Sequence, residues 1–230
     1  MITRKNFVKT GVAAGGVLLA GEILSLNNIF VNLFADERRD SSIQLSEKAV
    51  RILINASRAP SGHNTQPWMV KIVSESEWII GWDKSRSLPA VDPGNRELLL
   101  SIGAFCEGIK IAAKNEGLES RIEVTGRTNF SSDLVKIRFS ESERSCGMID
   151  ALQKRRTIKN GHQPRAIENG DLKYITSGLG SGIYSFNKGS REASLIEAAV
   201  LESNKIQAWR DDAQGELGEW IRWSDSDVQK

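Results

Sequence analysis

Cysteine is nearly absent from this chain. Cys106 and Cys146 stand forty residues apart, with no Cys-x-x-Cys pair and no histidine nearby. That scarcity excludes a disulfide scaffold and leaves too few ligands for a metal centre. Cys106 falls in an apolar helical run, where a buried, inert thiol is the usual outcome. Net charge is almost absent too, at +2. Arg4, Lys5 and Lys9 face Glu22 alone within residues 1–35, so the other 28 basic and 28 acidic residues cancel. A neutral body argues against a nucleic-acid partner, which needs a concentrated basic face. Nor is there an uninterrupted apolar span of about 20 residues near the N-terminus, because Glu22 breaks it.

What the chain does have is 230 residues, 40% of them hydrophobic and 26% charged. That is ordinary for a globular protein and enough for one large domain or two small ones. Residues 1–35 combine a basic start with the small apolar run Gly11 to Gly21, an export-signal pattern. Thr3-Arg4-Lys5-Asn6-Phe7-Val8-Lys9 resembles the twin-arginine translocation motif, with Lys5 where a second arginine is expected. The expectation is a leader that contacts the translocon and membrane transiently, placing the protein in the periplasm or cell envelope. Without a working leader it would be cytoplasmic. Residues 36–42 read as a polar linker.

The body begins with a helix over 43–57, where Val50, Leu53, Ile54 and Ser57 have helical spacing. Trp68 to Val73 and Glu77 to Trp82 predict a hairpin. Asp92 and Pro93 suit a helix start and Gly117 a helix end. Between them Leu98, Ile102, Phe105, Ile109 and Ala112 share a face, and the other sides are largely apolar, predicting a buried helix. Gly103, Ala104 and Gly108 would let another element approach closely. Strands are expected at Arg121–Thr125, Leu134–Phe139 and Gly182–Phe186. Helices are expected at Met148–Lys154, 168–179 and Ser190–Arg210, the last with Leu195, Ala199, Ile206 and Trp209 on its apolar side. Leu217, Trp220 and Ile221 predict a final amphipathic turn.

Two segments bear chemistry. Arg58-Ala59-Pro60-Ser61-Gly62-His63-Asn64-Thr65-Gln66-Pro67-Trp68 packs turn formers and short polar side chains into one loop, a composition suited to presenting N–H groups to a ligand. Arg155, Thr157 and Lys159 alternate just past a helix, so in an extended segment two cations and a hydroxyl point the same way. That set can cradle a phosphate, although by spacing alone a solvated basic loop is the commoner outcome. Trp68 reads as core packing beneath the loop, and His63 as a loop residue rather than a proton donor. Trp209, Trp220 and Trp223 read as core or lid residues, and Trp223 equally as a surface residue.

Together these segments resemble the FMN-dependent nitroreductase superfamily. The resemblance implies an α+β fold, a mixed and mainly antiparallel sheet flanked by helices. It implies that Arg155, Thr157 and Lys159 hold the FMN phosphate and polar edge. Pro60, Ser61, Gly62 and Asn64 would meet the flavin from the other side, Gly62 replacing a commoner serine. The loop precedes the phosphate motif, an order resembling the tandem-duplicated Acg-type branch, in which one chain imitates a dimer. Asp92 to Ala104 and Glu216 to Arg222 resemble that branch as well. The implied organisation is a first half over 43–140 and a shortened second half over 146–230, as a pseudo-dimer or paired as a homodimer. The implied activity is hydride transfer from NAD(P)H through FMN to a nitro compound, quinone or similar acceptor, with the flavin rather than a side chain carrying the chemistry. A protein that holds FMN without turnover, or a shortened chain that binds none, are the alternatives.

Overall fold

The structure, a computed structural model, describes residues 23–26, 29–33, 45–145, 147–158, 161, 165–177 and 183–221. Residues 1–22 of the expected leader, the 36–42 linker, Cys146, Lys159 and Trp223 lie outside the described residues.

Each element follows from its local sequence. Helix α1 (Glu47–Ala56) starts where the Ser46 hydroxyl accepts from Ala49 N–H at 3.2 Å, and it buries Ala49, Ile52, Leu53 and Ala56 on one face. Strands β3 (Trp68–Ser74) and β4 (Glu77–Trp82) form the expected hairpin, with Trp68, Val70 and Ile72 alternately buried. Helix α2 (Arg96–Asn115) is the core helix, ending at Gly117 with φ +79°. It starts later than Pro93, because Asp92 to Asn95 closes as a turn, Asn95 N–H donating to the Asp92 carbonyl at 3.0 Å. Asp92 nevertheless caps the helix. Its two carboxylate oxygens accept from Arg96 N–H at 2.7 Å and Leu98 N–H at 2.9 Å.

Strands β5 (Leu118–Val124) and β6 (Asp133–Glu141) complete an antiparallel four-strand region in the order β3-β4-β6-β5. Two short strands, β1 (Ile23–Leu26) and β2 (Ile29–Leu33), extend the sheet, β2 lying parallel to β3. The segment read as the later part of the leader is thus in the sheet. The architecture is α+β, a mixed and mainly antiparallel sheet flanked by helices, as expected.

Chain contacts divide into two units, one of residues 1–155 with 215–230 and the other of residues 156–214. The first unit holds the core. Ring stacking joins Trp68 to Phe105 with centroids 4.7 Å apart and planes 5° from parallel, and Trp78 meets Phe139 edge-on at 4.7 Å. Gly108 lets α1 approach α2, since a Cβ there would lie 3.0 Å from Ala56 Cα. Gly103 faces open space instead. The sheet's other face is charged: Glu77 pairs with Lys136 at 3.3 Å and with Arg138 at 2.9 Å.

The second unit contains α4 (Asn169–Ser177), α5 (Arg191–Ala208) and the first turn of α6 (Asp211–Trp220). A short α3 (Ile149–Lys154) precedes it. Residues 183–187 form no strand, so the strand expected at Gly182–Phe186 is absent from its described part. The expected apolar side of α5 is not covered: Leu195, Ala199, Ile206 and Trp209 are all exposed.

Candidate functional site

The loop from Arg58 to Trp68 is held in an unusual backbone path. His63, Asn64 and Gln66 have φ of 47°, 57° and 52°, left-handed values that non-glycine residues rarely adopt. Such conformations persist only where the surroundings fix them. Here they do. The Ser61 hydroxyl accepts from Gln66 N–H at 3.0 Å, and Asn64 N–H and Thr65 N–H donate to the Ser61 and Gly62 carbonyls. Arg86 Nη1 reaches across to the Thr65 carbonyl at 2.8 Å. Pro67 leads into Trp68, which is fully buried against Phe105 as core packing.

The turn presents donors. Among the described residues, the N–H groups of Ser61, Gly62 and His63 meet no acceptor. Pro60 and Asn64 are exposed, and Ser61 and Gly62 are half-buried. The His63 Nε2 is buried and has no hydrogen-bond partner among the described residues. Beneath the turn, Gly62, Thr65, Arg86, Asp92, Glu97 and Ser101 line a void of about 10 Å³. That is room for about one water and far too little for an aromatic ring.

The basic segment meets this loop at its first residue. Arg155 Nε donates to the Arg58 carbonyl at 2.7 Å, while Arg58 Nη1 donates to the Gln153 carbonyl at 3.2 Å. Gln153 Nε2 in turn donates to Asn55 Oδ1 at 3.1 Å, tying α3 to α1. Residues 155–158 form neither helix nor strand, and Arg155 has ψ of 133°, an extended value. Thr157 is exposed and belongs to the second unit.

Nearby ionisation is set by pairing and burial. Arg51 hydrogen-bonds Glu116 and holds its carboxyl below the usual value of 4.5. Burial among apolar side chains pushes the Cys106 thiol up to about 12, so it is not a nucleophile near neutral pH. No group of three or more metal-ligating side chains occurs among the described residues. No helix among them is long and apolar enough to cross a membrane.

One contact is silent in the sequence. Glu216 on α6 accepts from two successive backbone amides, Ala90 N–H at 2.8 Å and Val91 N–H at 3.1 Å. Spacing along the chain gives no signal of it, although both ends fall in or beside segments singled out by resemblance.

With this geometry in place, the chain compares with proteins described as NAD(P)H nitroreductases, at modest identity. A probable NAD(P)H nitroreductase PigM from Serratia sp. is 25% identical over 181 residues, covering 72% of this chain and 50% of that protein. The putative NAD(P)H nitroreductase acg of Mycobacterium tuberculosis is 35% identical over 89 residues, 38% of this chain and 26% of the relative. Another from that organism, Rv3131, is 24% identical over 163 residues, 68% of this chain and 47% of the relative. The chain thus spans half or less of the length of these relatives. No family model matches it. Among solved structures, a putative NADH oxidase from Clostridium acetobutylicum aligns with a TM-score of 0.36 and 16% identity, covering 44% of this chain and 78% of the other.

Proposed function

We propose that this chain contributes the cofactor site of an FMN-dependent oxidoreductase of the nitroreductase type, taking electrons from NAD(P)H to a nitro compound, quinone or similar acceptor. The observation that carries the reading is the 2.7 Å hydrogen bond from Arg155 to Arg58, which joins two motif segments 97 residues apart. The relatives described as nitroreductases support the same class of chemistry.

The donor set suits a flavin mononucleotide. Its phosphate is anionic and its ring edge offers carbonyl oxygens, and both call for N–H and cationic groups. Arg155, in the first unit, would hold the phosphate, and Thr157 is assigned to it by resemblance alone. Lys159, outside the described residues, is matched to the polar-edge cation by resemblance alone. The Ser61 and Gly62 amides, Asn64 and the rigid Pro60 would bound the other side. Bound FMN supplies the hydride-accepting and hydride-donating chemistry, so the protein's tasks are binding, orientation and electrostatics. His63 has no assigned proton transfer.

Purified protein tests this directly. The expected preparation is yellow, releases FMN on denaturation and oxidises NAD(P)H when an acceptor is supplied. FMN retained without turnover would identify a flavin-holding protein instead. Arg155→Ala should weaken FMN binding by about tenfold or more, the scale of a lost charge-assisted hydrogen bond. Equal affinity in that variant would remove Arg155 from the site.

A further inference from the structure

Helix α6 is joined to the candidate loop through one short segment. Glu216 spans the amides of Ala90 and Val91 with its two carboxylate oxygens. The next residue, Asp92, spends both of its own oxygens on the amides of Arg96 and Leu98. On the other side of the segment, buried Leu88 lies so close to Gly62 that a Cβ there would be 3.2 Å from Leu88 Cδ1. Arg86 holds the Thr65 carbonyl. Residues 86–92 thus touch the turn at two points and are themselves fixed by a carboxylate from a distant helix. A charged acceptor facing two adjacent N–H groups is among the stronger hydrogen-bonding arrangements available to a partly exposed side chain.

We propose that Glu216 is a positioning residue: its carboxylate sets the backbone at Ala90 and Val91, and through Leu88 and Arg86 it fixes the Gly62–Gln66 turn. A left-handed path at three non-glycine residues needs such external bracing. The consequence for cofactor affinity rests on the flavin reading above, whereas the bracing itself does not.

The test uses the full chain without flavin and then with FMN, in wild type, Glu216→Ala and Glu216→Gln. Glutamine keeps the length and one acceptor but turns an NH2 group toward one of the two amides. If α6 is lost in the alanine variant, the glutamine variant carries the test. In the flavin-free chain, amide exchange at Ala90 and Val91 should accelerate about tenfold or more, and the amide resonances of Gly62 and His63 should shift. Exchange unchanged at Ala90 and Val91 overturns the proposal. So does faster exchange there with Gly62 and His63 unmoved. FMN titrations should then show weaker binding in Glu216→Ala, intermediate in Glu216→Gln, at an unchanged thermal midpoint of the α1–α2 core. If wild type takes no FMN but the amide effects appear, the bracing stands and the flavin reading falls.

Discussion

A Cβ on Gly62 would lie 3.0 Å from Glu97 Oε2 and 3.2 Å from Leu88 Cδ1. The first neighbour is the end of an exposed, flexible side chain and can move; the second is buried and yields less. Gly62→Ser, which introduces the commoner residue of the resembled family, should therefore cost about 1 kcal/mol in a urea titration, near the lower end for overpacking. A second residue-scale prediction concerns Glu116. Its folded pKa lies below 4.5 because Arg51 donates to it, so its contribution is present above pH 4.5 and is lost as pH falls through the folded value. Arg51→Ala should flatten the acid side of the stability curve. Arg51 is half exposed, which limits the effect to about 1 kcal/mol or less, readable from denaturation midpoints between pH 3 and 6.

Helix α2 shows what periodicity reveals and what it does not. Leu98, Ile102, Phe105, Ile109 and Ala112 were readable as one buried face because a 3.6-residue repeat places them together. Spacing misplaces its start because Asp92 caps from within a turn, a reach that residue spacing cannot encode. Its glycines separate packing from propensity. Gly108→Ala would drive a Cβ to 3.0 Å from the Ala56 backbone and should destabilise by about 1–3 kcal/mol. Gly103→Ala meets nothing and should stabilise by about 0.5–1 kcal/mol through helix propensity. Thermal midpoints of the two variants should move in opposite directions. Elsewhere the β-favouring residues Ile183, Tyr184 and Phe186 suggested a strand, but a strand requires a pairing edge and local sequence does not supply one. The loop was legible from its turn formers. Its bond to Arg155 was not, since nothing local marks a contact 97 residues away.

At the scale of the molecule, the two units differ in what they bury. Among the described residues of 156–214 only Ala213 is buried, while Tyr174, Leu195 and Trp209 are 82%, 62% and 85% exposed. A unit with so little buried apolar surface opens easily. Limited proteolysis should cut within 156–214 before it cuts 45–145, and acrylamide should quench Trp209 far more than Trp68. Equal protection of the two regions would contradict this division. The contact between Ala90 and Glu216 spans 126 residues, and it adds an order in time. On a chain made from its N-terminus, α1, the β3–β4 hairpin and α2 can pack as soon as they emerge, since folding follows synthesis. Residue 216 does not yet exist then. The turn at Gly62 is consequently built early and braced late, so a nascent chain passes through a stage in which its core is formed and its candidate binding loop still lacks one of its supports.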